Sequence, residues 1–153
     1  MVIKDKVILG SVAGIVASIP QVILNAILLR LKLTEFYDFQ IAGSVYLYKY
    51  LTYTPSGLLF GAIMWESIAV GLGIIAVYFI SVTGRSGWWL KGIIVSNLIM
   101  FSLIYGFFFA MQAPTIVPWD LRTDWSMLFE NAVFGVCLGY LINLWNDWEL
   151  EKK

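Results

Sequence analysis

Long apolar runs alternate along the chain with short stretches of aromatic, turn-forming and charged residues. A helix that crosses a bilayer needs about 20 predominantly apolar residues. Residues 7–30, 57–82, 88–112 and 126–146 each meet that need. The second run is interrupted by Glu66. The third holds Lys91 near its start and Phe107-Phe108-Phe109 near its end, and the fourth holds Glu130 near its start. No sustained strand-like alternation competes with helix. The pattern predicts an all-α fold, one membrane domain over residues 1–153 built as a bundle of four transmembrane helices. The first run exceeds the roughly 7–15-residue apolar core of a signal peptide. It ends on Arg30 without a clear small-x-small site, so it reads as a retained helix.

The connections differ in character. Residues 31–56 hold Tyr37, Tyr46, Tyr48, Tyr50 and Tyr53, with Lys49 among mixed aromatic and aliphatic neighbours. Segment 36–54 is too short and too polar to span, and fits a helix lying at the membrane interface. Thr54-Pro55-Ser56-Gly57 is turn chemistry. Thr83-Gly84-Arg85-Ser86-Gly87 is a tight polar turn, which predicts that the second and third spans are antiparallel neighbours. Residues 113–125, with Pro114, Pro118, Trp119, Asp120, Arg122 and Asp124, read as an ordered aqueous loop carrying an interfacial tryptophan.

Lysine and arginine bias sets membrane orientation. Lys4, Lys6, Arg85, Lys91, Lys152 and Lys153 fall on the side of the termini, against Arg30, Lys32, Lys49 and Arg122 on the other. Six against four favours a cell-membrane protein with both termini cytoplasmic.

Small residues four apart lie on one helix face and let backbones approach closely. In lipid that packing drives association, because burying leucine gains little over leaving it among acyl chains. Three spans carry such pairs: Gly10/Gly14, Gly57/Gly61 and Gly135/Gly139. The third has Gly92/Ser96. Packing within the bundle is the expected use. The sharper alternative is a homo-oligomer seam, for which Gly135/Gly139 is the first choice.

Polar side chains inside a bilayer are costly and face the bundle interior or a cavity. Gly14, Ser18, Gln21 and Asn25 share one helix face. Pro20 frees a backbone carbonyl near Val16 and is expected to kink the helix. Glu66 has Ala62, Ile63, Ala69 and Val70 as helical neighbours, a mostly small face that predicts an inward-pointing carboxyl. At about 1.5 Å rise per residue, Asn25 lies roughly 10 Å from the midplane, Glu66 roughly 6 Å, Tyr105 roughly 8 Å and Glu130 roughly 10 Å, all toward the side opposite the termini. Gln21, Asn25, Glu66, Tyr105 and Glu130 are therefore a candidate intramembrane polar pocket. Two alternatives stand beside it. Glu66 can act as structural polar glue, and Glu130 as an ordinary first-turn acid favoured by the helix dipole and wet at the interface. Arg30 and Arg122 are candidate counter-ions. Asn97 reads as a packing residue, and Asn143 and Asn146 as interfacial.

Composition narrows the chemistry. Hydrophobic residues make up 60% of the chain and charged residues 13%, where soluble domains carry about a quarter charged. Ten basic residues balance ten acidic ones, so no global field attracts nucleic acid. There is no histidine and one cysteine, Cys137. That excludes Ser-His-Asp and Cys-His nucleophiles, His-ligated zinc and paired-thiol redox chemistry. No cofactor and no metal are expected.

Small multidrug exporters and fluoride channels also have four helices, but their patterns do not fit. The exporter glutamate lies in the first helix, and the glycine-rich motif and arginine of the channels are missing here. The chain resembles the YqhR-like membrane proteins of Gram-positive bacteria. The similar features are a glycine-bearing first helix followed by Leu33-Thr34-Glu35-Phe36, an aromatic and basic stretch ending near Lys49, and Phe134-Gly135-Val136-Cys137-Leu138-Gly139-Tyr140 in the last helix. The resemblance implies four helices and a bacterial membrane, and no mechanism.

The expected function is a non-enzymatic binding or scaffold module, with membrane lipid, a membrane protein or a second copy of the chain as partner. The alternative is a small-solute or proton-coupled carrier or pore, working as a dimer, with its pocket around Glu66. A lipid-modifying enzyme using Asp120, Asp124, Glu130 and Arg122 around a metal ranks third.

Overall fold

The computed structural model describes residues 3–118 and 120–146. Four helical segments are long and apolar enough to cross a membrane: Lys6–Arg30, Pro55–Thr83, Trp88–Ala110 and Leu121–Trp145. The chain is thus an all-α, multi-pass membrane bundle. In order it forms α1 (Lys6–Arg30), a short α2 (Asp38–Ser44), a 3₁₀ turn (Lys49–Tyr53) and α3 (Pro55–Thr83). The third span is composite: α4 (Trp88–Ile94), a π-helical stretch (Val95–Tyr105) and α5 (Gly106–Ala110). α6 (Leu121–Trp145) closes the bundle. Trp119, Lys152 and Lys153 lie outside the described residues.

Local chemistry sets the helix ends. Asp5 caps α1 by accepting from Val7 N and Ile8 N at 2.8 and 2.9 Å, satisfying donors that have no partner within the helix. The helix continues through Pro20 to Arg30. Thr54 caps α3, with Pro55 in its first turn. At the far end of α3 the Lys91 ammonium donates to the carbonyls of Thr83 and Gly84, placing a cation where the helix dipole is negative. Asp120 caps α6 by accepting from Thr123 N at 2.8 Å. That cap starts the last helix at Leu121, five residues before the expected 126, because Arg122, Thr123 and Asp124 form its polar first turn. Backbone pairing of Ile3 with Trp145 and Asn146 ties both chain ends together on one face.

Close glycine contacts hold the bundle. A Cβ on Gly10 would meet the Ile74 backbone at 2.5 Å, and one on Gly14 would overlap the Ala69 carbonyl. Gly73 of α3 faces Gly10 in return. Gly135 of α6 lies against Gly92 of α4, where an added Cβ would stand 2.5 Å from the Gly92 oxygen, and Gly139 lies against Trp88. The proposed oligomer seam at Gly135/Gly139 is therefore spent inside the chain, with α4 already in contact with both glycines. Gly57 and Gly61 are spent differently. They admit the backbone of Leu51 and Phe39 from the first connection, not another span.

That last contact explains the largest departure from the sequence pattern. Segment 36–54 does not form one interfacial helix. Its first part, α2, folds back onto α3, and Asp38, Gln40, Ile41, Ala42, Gly43 and Ser44 are all buried. Its second part presents an aromatic surface, with Tyr46, Tyr48, Tyr50 and Tyr53 exposed, and Tyr37 at the start of α2 is exposed as well, as expected of tyrosines at a membrane interface.

Span 88–112 departs too. It ends at Ala110, with Gln112 in the left-handed region at φ 55°. It packs chiefly on α6 through α4 and touches α3 more weakly, so the tight 83–87 turn does not make spans two and three the closest pair. In its most apolar stretch 18% of residues are buried, against 39%, 39% and 44% for the other spans. Ile99 and Met100 still pack against the core, and it is the α5 end of this span that has no buried residue.

Candidate functional site

The polar stripe of α1 turns inward along its length. Gly14, Ser18, Gln21 and Asn25 are all buried. Asn25, 2% exposed, is the junction of three elements. Its Nδ2 donates to Glu130 Oε2 of α6 at 3.2 Å and to the Phe36 carbonyl at 3.4 Å. Its Oδ1 accepts from the backbone N of Asp38 at 3.3 Å. Both donors and the oxygen of one amide are used to fix α1, α2 and α6 together.

Glu130 is 0% exposed. Counting from Leu121 it sits nine residues into α6, about 13 Å along the axis. It is no first-turn acid at a wet interface, because the helix begins earlier than the apolar run suggests. Its neighbour is Asp38, 5% exposed, and the two carboxyls lie within hydrogen-bonding reach of each other. Among the described residues no donor reaches Asp38 Oδ2 or Glu130 Oε1. Two buried carboxylates cannot both stay ionised side by side. A single shared proton turns the two orphaned acceptors into a donor and an acceptor. Burial first, then the charge of Glu130, push the Asp38 carboxyl well above the usual carboxylate range.

Beside this pair lies a cavity of about 50 Å³, lined by Asp38, Gln21, Asn131 and Tyr105 with Trp65 and Phe108 among its apolar walls. One water needs roughly 10–15 Å³ by this measure, so the space holds a few. Gln21, 1% exposed, donates from Nε2 to Asn131 Oδ1 at 3.1 Å, while its Oε1 has no partner. The Trp65 indole N–H has none either. The cavity thus has a polar floor and an apolar, aromatic mouth between α2 and the second half of the third span.

The roof is tied down from both long connections. Ser126 Oγ donates to the Leu33 carbonyl at 2.7 Å, and Glu35 N donates to Thr123 Oγ1 at 3.2 Å. Thr115 donates from N to the Ser44 carbonyl and from Oγ1 to the Leu47 carbonyl. These bonds hold α2 over the ends of α1 and α6.

The five residues picked from sequence do not form one pocket. Asn25 and Glu130 bond directly, and Gln21 and Tyr105 line the adjoining cavity. Glu66 stands elsewhere. The Ser18 hydroxyl lies 2.8 Å from its Oε1, two turns of α1 before Asn25. The half-buried Glu66 borders an open groove with Ala62, Ile63, Ser67 and Val70 on the outer side of α3. Its carboxyl turns toward α1 as its small neighbours suggested, with Oε1 against buried Ser18 and Oε2 buried without a partner among the described residues. Neither candidate counter-ion joins the site: Arg122 pairs with Asp120 at 3.2 Å, and Arg30 is exposed at the end of α1. Asp120 is held below the usual carboxylate range, first by its hydrogen bonds from Thr123 and then by Arg122. It and the deeply buried Glu130 therefore belong to different places.

Sequence reasoning missed Asp38 and Asn131. Asn131 carried a weak signal, since it adjoins Glu130 in an apolar run. Asp38 carried none, because an acid in an aromatic, loop-like segment looks solvated until that segment folds inward. No family model, curated protein or solved structure matches the chain.

Proposed function

We propose that this chain is a non-enzymatic membrane module that takes a lipid-like molecule sideways from the bilayer. The carrying observation is the crevice beside the third span. Val95–Tyr105 is wound as a π-helix between α4 and α5. The α5 segment beyond it has no buried residue. Ile41, Ala42, Val45, Ile104 and Phe108 make the crevice walls apolar. A partner protein is the weaker occupant, because the glycine faces that would seat another helix are filled within the chain.

A photo-crosslinkable lipid in nanodiscs tests this reading. Adducts should concentrate on Ile41, Ile104 and Phe108, and Ala42→Trp should suppress them. Labelling confined to outer-face residues such as Ile19 and Ile23 would end it.

A second reading, a small-solute or proton-coupled carrier working as a dimer, draws support from the Asp38–Glu130 pair rather than from Glu66. It requires a pH-dependent flux in liposomes that Glu130→Gln removes and Glu66→Gln does not. The Lys and Arg count supports both termini facing the cytoplasm of the cell membrane.

A further inference from the structure

The crevice has one polar end, and its chemistry is selective. Asp38 lines the cavity, no donor among the described residues satisfies its Oδ2, and its pair partner Glu130 lies behind it, outside the lining. Gln21 contributes a second acceptor unpartnered among the described residues, the Oε1 of a side chain 1% exposed in the cavity lining. This amide oxygen belongs to a different helix and is independent of the acid pair. A buried carboxyl and an amide oxygen from different helices, both lining one enclosed space, call for a donor-rich guest or a cation. The surroundings fit an organic cation better than a metal ion. Among the described residues no group of three acidic, histidine or cysteine side chains is placed to hold a metal. Trp65, Tyr46, Tyr105 and Phe108 line the same cavity, and aromatic faces attract ammonium groups.

We infer that the crevice binds a primary alkylamine in its ammonium form, head against Asp38 and Gln21 Oε1, chain out between α2 and the third span, in exchange for the proton shared by Asp38 and Glu130. The inference rests on the crevice being a ligand site at all. Its charge balance is simple. One ammonium cation enters, one proton leaves to water, and the acid pair passes from one negative charge to two, now facing the ammonium. The ammonium supplies three N–H donors, enough for Asp38, Gln21 and one carbonyl or water. An alkanol of equal length has the same tail and one donor but no charge, so it uses the crevice without displacing a proton. A phospholipid headgroup would bring a phosphate, for which the described residues lining the cavity offer no cation.

The test uses the full chain purified in detergent, with n-hexylammonium chloride and n-hexanol as probes. Titration calorimetry is run in two buffers of different ionisation heat, so that proton release is counted directly. Hexylammonium is expected to bind with one proton released per ligand, and its apparent affinity should fall about tenfold per pH unit as pH is lowered. Hexanol should bind without proton release and without that pH dependence. Asp38→Asn should weaken hexylammonium at least tenfold and leave hexanol unchanged. If that variant loses hexanol too, the wild-type proton count and pH dependence decide alone. Hexanol binding with no hexylammonium binding, or hexylammonium binding with no proton release, overturns the inference and leaves the crevice reading standing. Binding of neither probe overturns both.

Discussion

The two halves of the bundle are built on opposite principles. Toward the termini the interior is dry: Leu9, Ala13, Ala76, Val77, Ile80, Leu138 and Ile142 pack together with hardly a polar atom. Toward the long connections it is polar: Gln21, Asn25, Asp38, Thr123, Ser126, Glu130 and Asn131 are all buried. In lipid the dry half gains little from the hydrophobic effect and is held by backbones brought close at glycine. The polar half is held by hydrogen bonds whose loss would leave unsatisfied groups in hydrocarbon. The first design packs backbone against backbone, and the second leaves a cavity. A buried polar cluster needs more satisfaction than side chains alone supply, and Asp38, Gln21 and Trp65 keep unpartnered atoms beside that space. The lesson is that tight packing sets the frame and incomplete polar satisfaction marks the place for a guest.

The largest effect expected from breaking this contrast is in the frame. Gly14→Val and Gly135→Val force a side chain onto a neighbouring backbone that cannot swing aside. The cost should exceed the roughly 1–3 kcal/mol typical of overpacking. Thermal unfolding in detergent, followed by circular dichroism, should show loss of the folded state. Gly71→Ala, with open space around it, is the control and should stabilise by about 0.5–1 kcal/mol. Equal tolerance at all three positions would refute glycine packing as the frame.

Next in size is Glu130→Ala. It strips Asn25 and Asp38 of their partner in a buried setting, a loss of about 1–3 kcal/mol for groups left unsatisfied. The same unfolding measurement reads it, and no change would mean that the polar half contributes nothing to the fold.

A smaller and more specific effect is pH dependence. The folded chain holds the Asp38 proton more tightly than the unfolded chain does. This contribution is complete below about pH 4, where an unfolded aspartate is protonated as well. It is lost as pH rises through the folded value, because the unfolded chain binds fewer protons there and stability falls. Unfolding across pH 4 to 8 should show a declining component that Asp38→Asn removes. A component that rises with pH, or one that survives the substitution, would place the acid elsewhere.

The smallest effect should be at Glu66→Gln. The residue is half buried, its Oε1 meets Ser18 and its buried Oε2 has no partner among the described residues, and glutamine keeps an oxygen for the Ser18 hydroxyl. A change within about 0.5 kcal/mol is expected. A loss as large as that of Glu130→Ala would mean that the two acids share one function after all.

The legible part of the site followed helix periodicity. Ser18, Gln21 and Asn25 lie on one face at three- and four-residue spacing, and a costly polar stripe in an apolar helix has to turn inward. Glu130 was visible as an intramembrane acid, but its depth was not, because the Asp120 cap lies outside the apolar run that located the helix. Glu66 was the most conspicuous residue in the sequence and stands apart from the acid pair. Periodicity places a side chain on a face, and it does not say which neighbour covers that face.

By itself, the sequence determined four membrane-crossing helices, the close-packing glycines and the inward stripe of α1. These depend on length, spacing and the cost of polar groups in lipid, all local along one helix. Only the tertiary structure decided that Gly57 and Gly61 receive the first connection, that α2 carries Asp38 down against Glu130, and that the α5 end of the third span buries no residue. Those outcomes depend on which surfaces meet, and a backbone folding back over a glycine face leaves no periodic trace in the chain.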